Sequence, residues 1–407
     1  MRTLVIAGDY PWPTDTGARL RLAMILRGLV RCGPTELVSV VSKYRTDFGS
    51  AEDAADLAAV ERIGFDNRIP SGRPLVPTLY RPSMPLGMPW RDRPRVRDAV
   101  AQFASGRYDL VWFYGLRPWV LSGAPVLAPT VIDLIDLEDY KIQVRLSAPR
   151  PPPSGQVARL RRRAGDAVSR QEIRRWERLQ RRAADRAATT VVCSDVDAER
   201  ASMAGVTGLS VIPNGYPAPD RPVGRRTVGS PPTVLFQGLL TYPANADAAR
   251  WLAGGIAPRL RGLVPEARIR LVGEFPPDLA GLGDPPSVTL TGRVADMSVE
   301  LARADVVVVP LRYGSGTRLK ILEAFAHRIP VVSTALGAEG LGVEDGRHLL
   351  VAETAEGLAD AVHRLLTQPD LRDGIVERAH DHFLERYESG TVEAEIGRLA
   401  HRVADGR

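Results

Sequence analysis

Hydrophobic positions in the first half of the chain fall into short unbroken runs, each followed by a stretch in which they recur every three to four residues. Residues 3–7 (Thr-Leu-Val-Ile-Ala) form such a run and end in a Gly/Pro-rich turn. Residues 17–32 carry helical spacing, and residues 36–41 are again a run. A continuous short apolar run bounded by turn signals marks a buried strand, and a period of 3.6 marks a helix. The rhythm recurs, with strands predicted at 110–113, 130–134 and 190–193. After residue 232 it restarts, with strands predicted at 233–237, 268–272, 287–290, 306–310 and 331–333 and helices between them. Such alternation predicts an α/β fold with parallel sheets, because consecutive parallel strands need a crossover between them.

Residues 211–232 hold six prolines and three glycines with no hydrophobic period. The chain of 407 residues is also too long for one ordinary core. The predicted organisation is an N-terminal domain at 1–215, a linker at 216–232, a second domain at 233–387, and a C-terminal helix at 388–407 packing back on the first domain. The Pro-rich stretch 147–155 reads as a loop. With 44% hydrophobic and 25% charged residues, the composition excludes a disordered, collagen-like or coiled-coil chain. Two cysteines, Cys32 and Cys193, with no CxxC or Cys/His cluster, speak against a disulfide scaffold or a zinc site and for a reducing, cytoplasmic setting. No signal-peptide core precedes Gly8-Asp9, and no run approaches the ~18 apolar residues of a spanning helix, so a soluble protein is expected.

Charge changes this picture in one place. The net +6 is local: between Arg159 and Arg186, 11 arginines face Asp166, Glu172, Glu177 and Asp185, a net of +7 in one segment. Leu160, Val168, Ile173, Trp176 and Leu179 give that segment the narrow apolar stripe of a long helix. Two readings stand, a solvated helix face, or attraction to an anionic membrane or a phosphorylated acceptor. Nucleic acid is disfavoured, since Trp176 alone interleaves the arginines.

The segment richest in chemistry runs from Val306 to Ala326. A continuously apolar strand enters the loop Gly314-Ser315-Gly316-Thr317, which opens into a helix predicted to begin near Arg318. Backbone N–H groups at a helix start favour an anion, and Arg318 and Lys320 add two cations there. Basic residues in a first turn oppose the dipole, so an anionic ligand would compensate them. Lys320 is one of three lysines in the chain, beside Lys43 and Lys141. Together these features describe a diphosphate cradle, with Glu323 placed to accept hydrogen bonds from neutral hydroxyls such as those of a ribose. The segment is not a P-loop, because Leu319 precedes Lys320 and Ile321 stands where a Ser/Thr metal ligand is required.

Here the sequence resembles the nucleotide-sugar-binding region of the GT-B glycosyltransferases, specifically the retaining family 4 group and its Gly-Thr-Arg-Leu-Lys subset. Supporting motifs are Pro11/Pro13…Gly17…Arg21, Val192-Cys-Ser-Asp195, Phe236-Gln-Gly238 with Pro243-Ala-Asn245, Leu271-Val-Gly273, Thr291-Gly-Arg-Val294 and Pro330 to Gly340. The resemblance implies two Rossmann-like domains facing a cleft, with Arg318 and Lys320 on the donor diphosphate and Glu323 on the ribose. Gly316 and Thr317 would contact phosphate or hexose, Gly238 would start the loop facing the donor, and Arg293 and Val294 would flank the base. Gly17 would approach the diphosphate from the other domain. Two positions depart from the family's pattern: Ser315 replaces a hexose-binding glutamate, and Leu239-Leu-Thr-Tyr242 lacks the usual basic residue, for which Arg318 can substitute.

Asp133, Asp136, Glu138 and Asp139 crowd the end of the strand at 130–134, either as a polar strand end and helix cap or as groups binding an acceptor hydroxyl or amine. Asp133 and Asp136 are the general-base candidates, although front-face retaining transfer is thought to use the donor phosphate as its base. Asp195-Val-Asp197 reads as an N-cap with a first-turn acid rather than a metal site. All six histidines lie at or beyond His327 and read mostly as surface helix residues. The expected function is sugar transfer from a nucleoside-diphosphate sugar to a glycosyl acceptor, retaining and without metal or other cofactor. A nucleotide-sugar epimerase or hydrolase, or a non-catalytic nucleotide-sugar-binding protein, is the alternative.

Overall fold

The computed structural model describes residues 1–50, 52–66, 84–86, 88, 93–148, 153–221, 231–316 and 318–406. The chain divides into two compact units, residues 1–214 with 392–407, and residues 215–391. Tyr216, read from the sequence as linker, belongs to the second unit, where its main chain pairs with Glu388.

The first unit is built on strands β1 (Thr3–Ala7), β2 (Thr35–Ser42), β3 (Ala59–Phe65), β4 (Leu110–Tyr114), β5 (Thr130–Asp133), β6 (Thr189–Val192) and β7 (Leu209–Val211). Their order is β3-β2-β1-β4-β5-β6-β7, and every pairing is parallel. Strands covered on both faces read as unbroken apolar runs. Thus Leu4 and Ile6 enter one core with Val38, Phe113 and Ile132, while Val5 and Ala7 enter the other with Leu22 and Leu26 of the Gly17–Val30 helix. The last helix, Ser389–Ala404, sends Val392, Ile396 and Leu399 into this second core. Two features explain its docking. A Cβ at Gly28 would lie 2.8 Å from the Glu393 carbonyl oxygen, so only glycine allows this approach. The buried Glu393 carboxylate is neutralised by Arg27 at 2.6 Å and Arg31 at 2.7 Å.

The basic segment is one helix, Gln156–Ala184. Its apolar stripe is not uniformly buried as a single stripe predicts. Leu179, Ala183 and Ala184 pack inward beside buried Arg175 and Gln180, whereas Val157 and Leu160 near the start are 65% and 70% exposed.

The second unit carries β8 (Thr233–Gln237), β9 (Arg268–Val272), β10 (Val288–Gly292), β11 (Val306–Val309), β12 (Val331–Ser333) and β13 (Leu350–Val351). The order is β10-β9-β8-β11-β12-β13, again all parallel. The chain works outward from β8 to β10 and then crosses to β11, so the order reverses between β8 and β11. A crevice at the carboxyl ends of strands is expected at such a switch point. His327, His348 and His380 are buried rather than at the surface, each with a hydrogen bond or cap contact that anchors a loop or helix end.

Candidate functional site

Three loops of the second unit leave the carboxyl edge of its sheet around the β8/β11 reversal. Gly238 follows β8 with φ of +144°, Gly273 follows β9 with φ of +135°, and the loop after β11 turns at Gly314 (+134°) and Gly316 (+86°). These values lie in the region that side chains strain to adopt. Space reinforces the requirement. A Cβ on Gly273 would sit 1.8 Å from the Gly238 carbonyl oxygen, and one on Gly238 would sit 3.1 Å from both Lys320 Nζ and Asn245 Nδ2.

The helix after this loop is Leu319–Ala326, so Arg318 occupies its cap position rather than its first turn. No side chain caps the start, and Arg318, nearly buried, folds back to donate from Nη1 to the Ser315 carbonyl at 2.7 Å. Lys320 lies in the first turn. Its Nζ donates to Asn245 Oδ1 at 2.9 Å and stands 4.3 Å from the centroid of the Phe236 ring. Burial, then the neighbouring Arg318 charge, pull its pKa down to about 7, with Glu323 opposing them. Glu323 offsets this only in part, and an anion above the helix start would supply the remaining compensation. Thr317 lies outside the described residues.

Glu323, one turn further, is half-buried. Its Oε1 accepts from the Tyr216 hydroxyl at 2.6 Å and its Oε2 from Gln237 Nε2 at 3.2 Å. Burial raises its pKa, while those two hydrogen bonds and Lys320 lower it. Burial, and then the Glu323 charge, hold the Tyr216 phenol well above its ordinary value, keeping it a neutral donor. Tyr216, Gln237 and Asn245 are therefore parts of the site to which no role was given from sequence. Gln237 and Asn245 stood inside quoted motifs, but Tyr216 lay in a stretch without periodicity. Arg293, exposed, and Val294, half-buried, follow β10 on the same edge.

The first unit holds the remaining candidates. Gly17 opens the helix capped by the Thr16 side chain, which accepts from the Arg19 amide at 3.3 Å. Asp133 ends β5 fully buried. Its Oδ2 takes Arg21 Nε at 3.0 Å and Arg21 Nη2 at 2.8 Å, and its Oδ1 takes the Ile135 amide at 2.9 Å. Arg21 in turn donates from Nη1 to the Ile212 and Pro213 carbonyls and to Asn214 Oδ1. With both oxygens engaged and no surface, Asp133 ties the β5 end to the segment leaving the unit and offers no oxygen to an acceptor. Asp136, by contrast, is partly exposed and is bridged by Lys141 Nζ at 2.9 Å, which also reaches Glu138 at 3.1 Å. Between the two aspartates Ile135 adopts a φ of +63°, a strained setting for a β-branched residue, and the Asp136 amide bonds the Leu134 carbonyl at 2.6 Å. At the Asp195-Val-Asp197 sequence the cap is Ser194, whose hydroxyl accepts from the Asp197 amide at 3.1 Å, and both acids lie in the first turn.

Two all-parallel units of this strand order, the second with a glycine-lined, cation-bearing edge, are the architecture of the GT-B fold. Residues 231–368, all within the second unit, match the family model described as "Glycosyl transferases group 1". An exopolysaccharide phosphotransferase of Streptomyces coelicolor is 30% identical over 183 residues, 42% of this chain and 19% of that protein. A phosphatidyl-myo-inositol mannosyltransferase of Mycolicibacterium smegmatis is 30% identical over 184 residues, 42% of this chain and 45% of that protein. The matches thus span less than half the length of either relative. Over nearly whole chains, 98% of this one and 99% of the other, the fold resembles that of Anabaena HepE solved with UDP and glucose, at a TM-score of 0.65 and 17% identity. Among the described residues, no helix is long and apolar enough to cross a membrane.

Proposed function

We propose that the protein transfers a sugar from a nucleoside-diphosphate sugar to a hydroxyl or amine acceptor, with retention and without a metal. The observation that carries this reading is the pair of cations at one uncapped helix start: Arg318 over the Ser315 turn and Lys320 beside Gly238, a turn away from Glu323. As the anomeric C–O bond breaks, its electron pair passes to the diphosphate, and Arg318, Lys320 and the helix amides stabilise that developing charge. The acceptor oxygen or nitrogen bonds the anomeric carbon on the face the diphosphate leaves, and its proton passes to the departing phosphate oxygen. Two fixed cations meet the electrostatic demand that a divalent ion meets elsewhere. Ser315 in place of a hexose-binding carboxylate leaves the sugar to be selected by other contacts. The exposed arginines and apolar side chains early in the Gln156–Ala184 helix support contact with an anionic membrane surface that presents the acceptor.

The test is nucleoside-diphosphate release by purified protein across uridine-, guanosine- and adenosine-diphosphate sugars, with EDTA present and with glycosyl and lipid-linked acceptors added or withheld. Acceptor-dependent release is expected. No release with any pair refutes transfer, and equal release without acceptor identifies a hydrolase instead.

A further inference from the structure

Glu323 receives two protein hydrogen bonds before any ligand arrives, one on each carboxylate oxygen. A carboxylate has roughly four lone-pair sites, so one acceptor position on each oxygen is left. Two acceptors side by side in one plane match a vicinal diol. Their direction is set by the donors already present: the Tyr216 phenol at 2.6 Å and the Gln237 amide at 3.2 Å. Gln237 is itself 4% exposed, its Nε2 reaches the Lys320 carbonyl at 3.5 Å, and its Oε1 has no hydrogen-bond partner. Tyr216 is fixed by its main chain. Its amide donates to the Tyr387 carbonyl at 2.8 Å, and its own carbonyl accepts from the Ser389 amide at 3.1 Å. Tyr216 also lies two residues past Asn214, where the first unit ends, and Ser389 lies three before Val392, where that unit resumes. The residue that orients the carboxylate is thus stapled to the point where the chain returns.

We propose that Tyr216 is a positioning residue that, with Gln237, aims Glu323 at the two ribose hydroxyls of the nucleotide and so sets discrimination between ribo- and deoxyribonucleotides. The inference rests on the donor-site reading above. Without the phenol, the carboxylate turns about its side chain to satisfy itself with water, and the paired acceptors are no longer presented together. Diphosphate contacts through Arg318 and Lys320 do not depend on this arrangement.

The experiment compares calorimetric affinities of UDP, GDP and ADP, takes the tightest binder, and measures its 2′-deoxy analogue against it. Wild-type protein is expected to prefer the ribonucleotide by about tenfold or more, the worth of one hydrogen bond to a charged group. Tyr216→Phe, which keeps the ring and its packing, is expected to bring that ratio near one while leaving inorganic pyrophosphate affinity unchanged. Glu323→Gln tests the route: if Tyr216 acts through Glu323, adding Tyr216→Phe to Glu323→Gln changes the ratio no further. A preserved ratio in Tyr216→Phe, or an additive loss in the double variant, overturns the inference and leaves the donor site standing. Wild-type protein that binds none of the three nucleotides overturns the donor-site reading and the inference with it.

Discussion

Replacing Lys320 by methionine keeps the aliphatic bulk over Phe236 and removes the charge. In the free protein the ammonium donates to the neutral Asn245, and burial, then the Arg318 charge, bring its pKa to about 7 against the opposing charge of Glu323. At pH 8.5 the empty site is then mostly neutral. A bound diphosphate restores the charge, so binding takes up about one proton at that pH, and affinity falls by up to about tenfold per pH unit above 7. In Lys320→Met the uptake vanishes, and the lost charge-assisted contact weakens UDP binding by about 10–100-fold at pH 7. Calorimetry in two buffers of different ionisation enthalpy reads both quantities. Equal proton uptake in the two proteins, or unchanged affinity, refutes the assignment. The same shift fixes a stability sign. The folded value lies below the unfolded one near 10.5, so the unfolded chain binds more protons between about pH 7 and 10.5 and wild-type stability rises through that window. The charged, half-buried lysine therefore destabilises the free protein below pH 7, and Lys320→Met should melt higher there, with the difference closing by pH 10.

Other consequences are equally concrete. Asp133→Asn breaks a fully buried ion pair and leaves Arg21 uncompensated, which should cost about 3–5 kcal/mol in denaturant unfolding; a loss under 1 kcal/mol contradicts the framework role. Gly238→Ala places a methyl at 3.1 Å from Lys320 Nζ at a φ that alanine avoids, and should weaken nucleotide-diphosphate binding more than any melting change explains. Replacing Arg159, Arg161, Arg162 and Arg163 with glutamine should abolish salt-sensitive sedimentation with vesicles containing phosphatidylglycerol, whereas unchanged sedimentation leaves that helix as a solvated face.

Periodicity exposed the central strands because strands buried on both faces, such as Val306–Val309, are continuously apolar. It missed β3, an edge strand interrupted by Glu61, Arg62 and Gly64, and β13, which is two residues long. The Arg318, Lys320 and Glu323 cluster was legible because helical spacing brings it together within one local motif. The two readings of Asp133 stayed open for a physical reason: a carboxylate at a strand end looks the same in sequence whether it faces a crevice or a buried arginine 112 positions away. Tyr216 escaped notice because its partner lies 107 residues further on and its own surroundings carry no period.

The proposed donor site puts a nucleoside diphosphate at the β8/β11 edge. A crystal structure of the protein soaked or grown with UDP tests it most directly. Diphosphate oxygens are expected within hydrogen-bond distance of Lys320 Nζ, the Arg318 guanidinium and the amides at the start of the Leu319–Ala326 helix, with ribose hydroxyls on Glu323. A nucleotide bound elsewhere on the chain, with Lys320 still donating to Asn245 and Glu323 contacting only Tyr216 and Gln237, would contradict it.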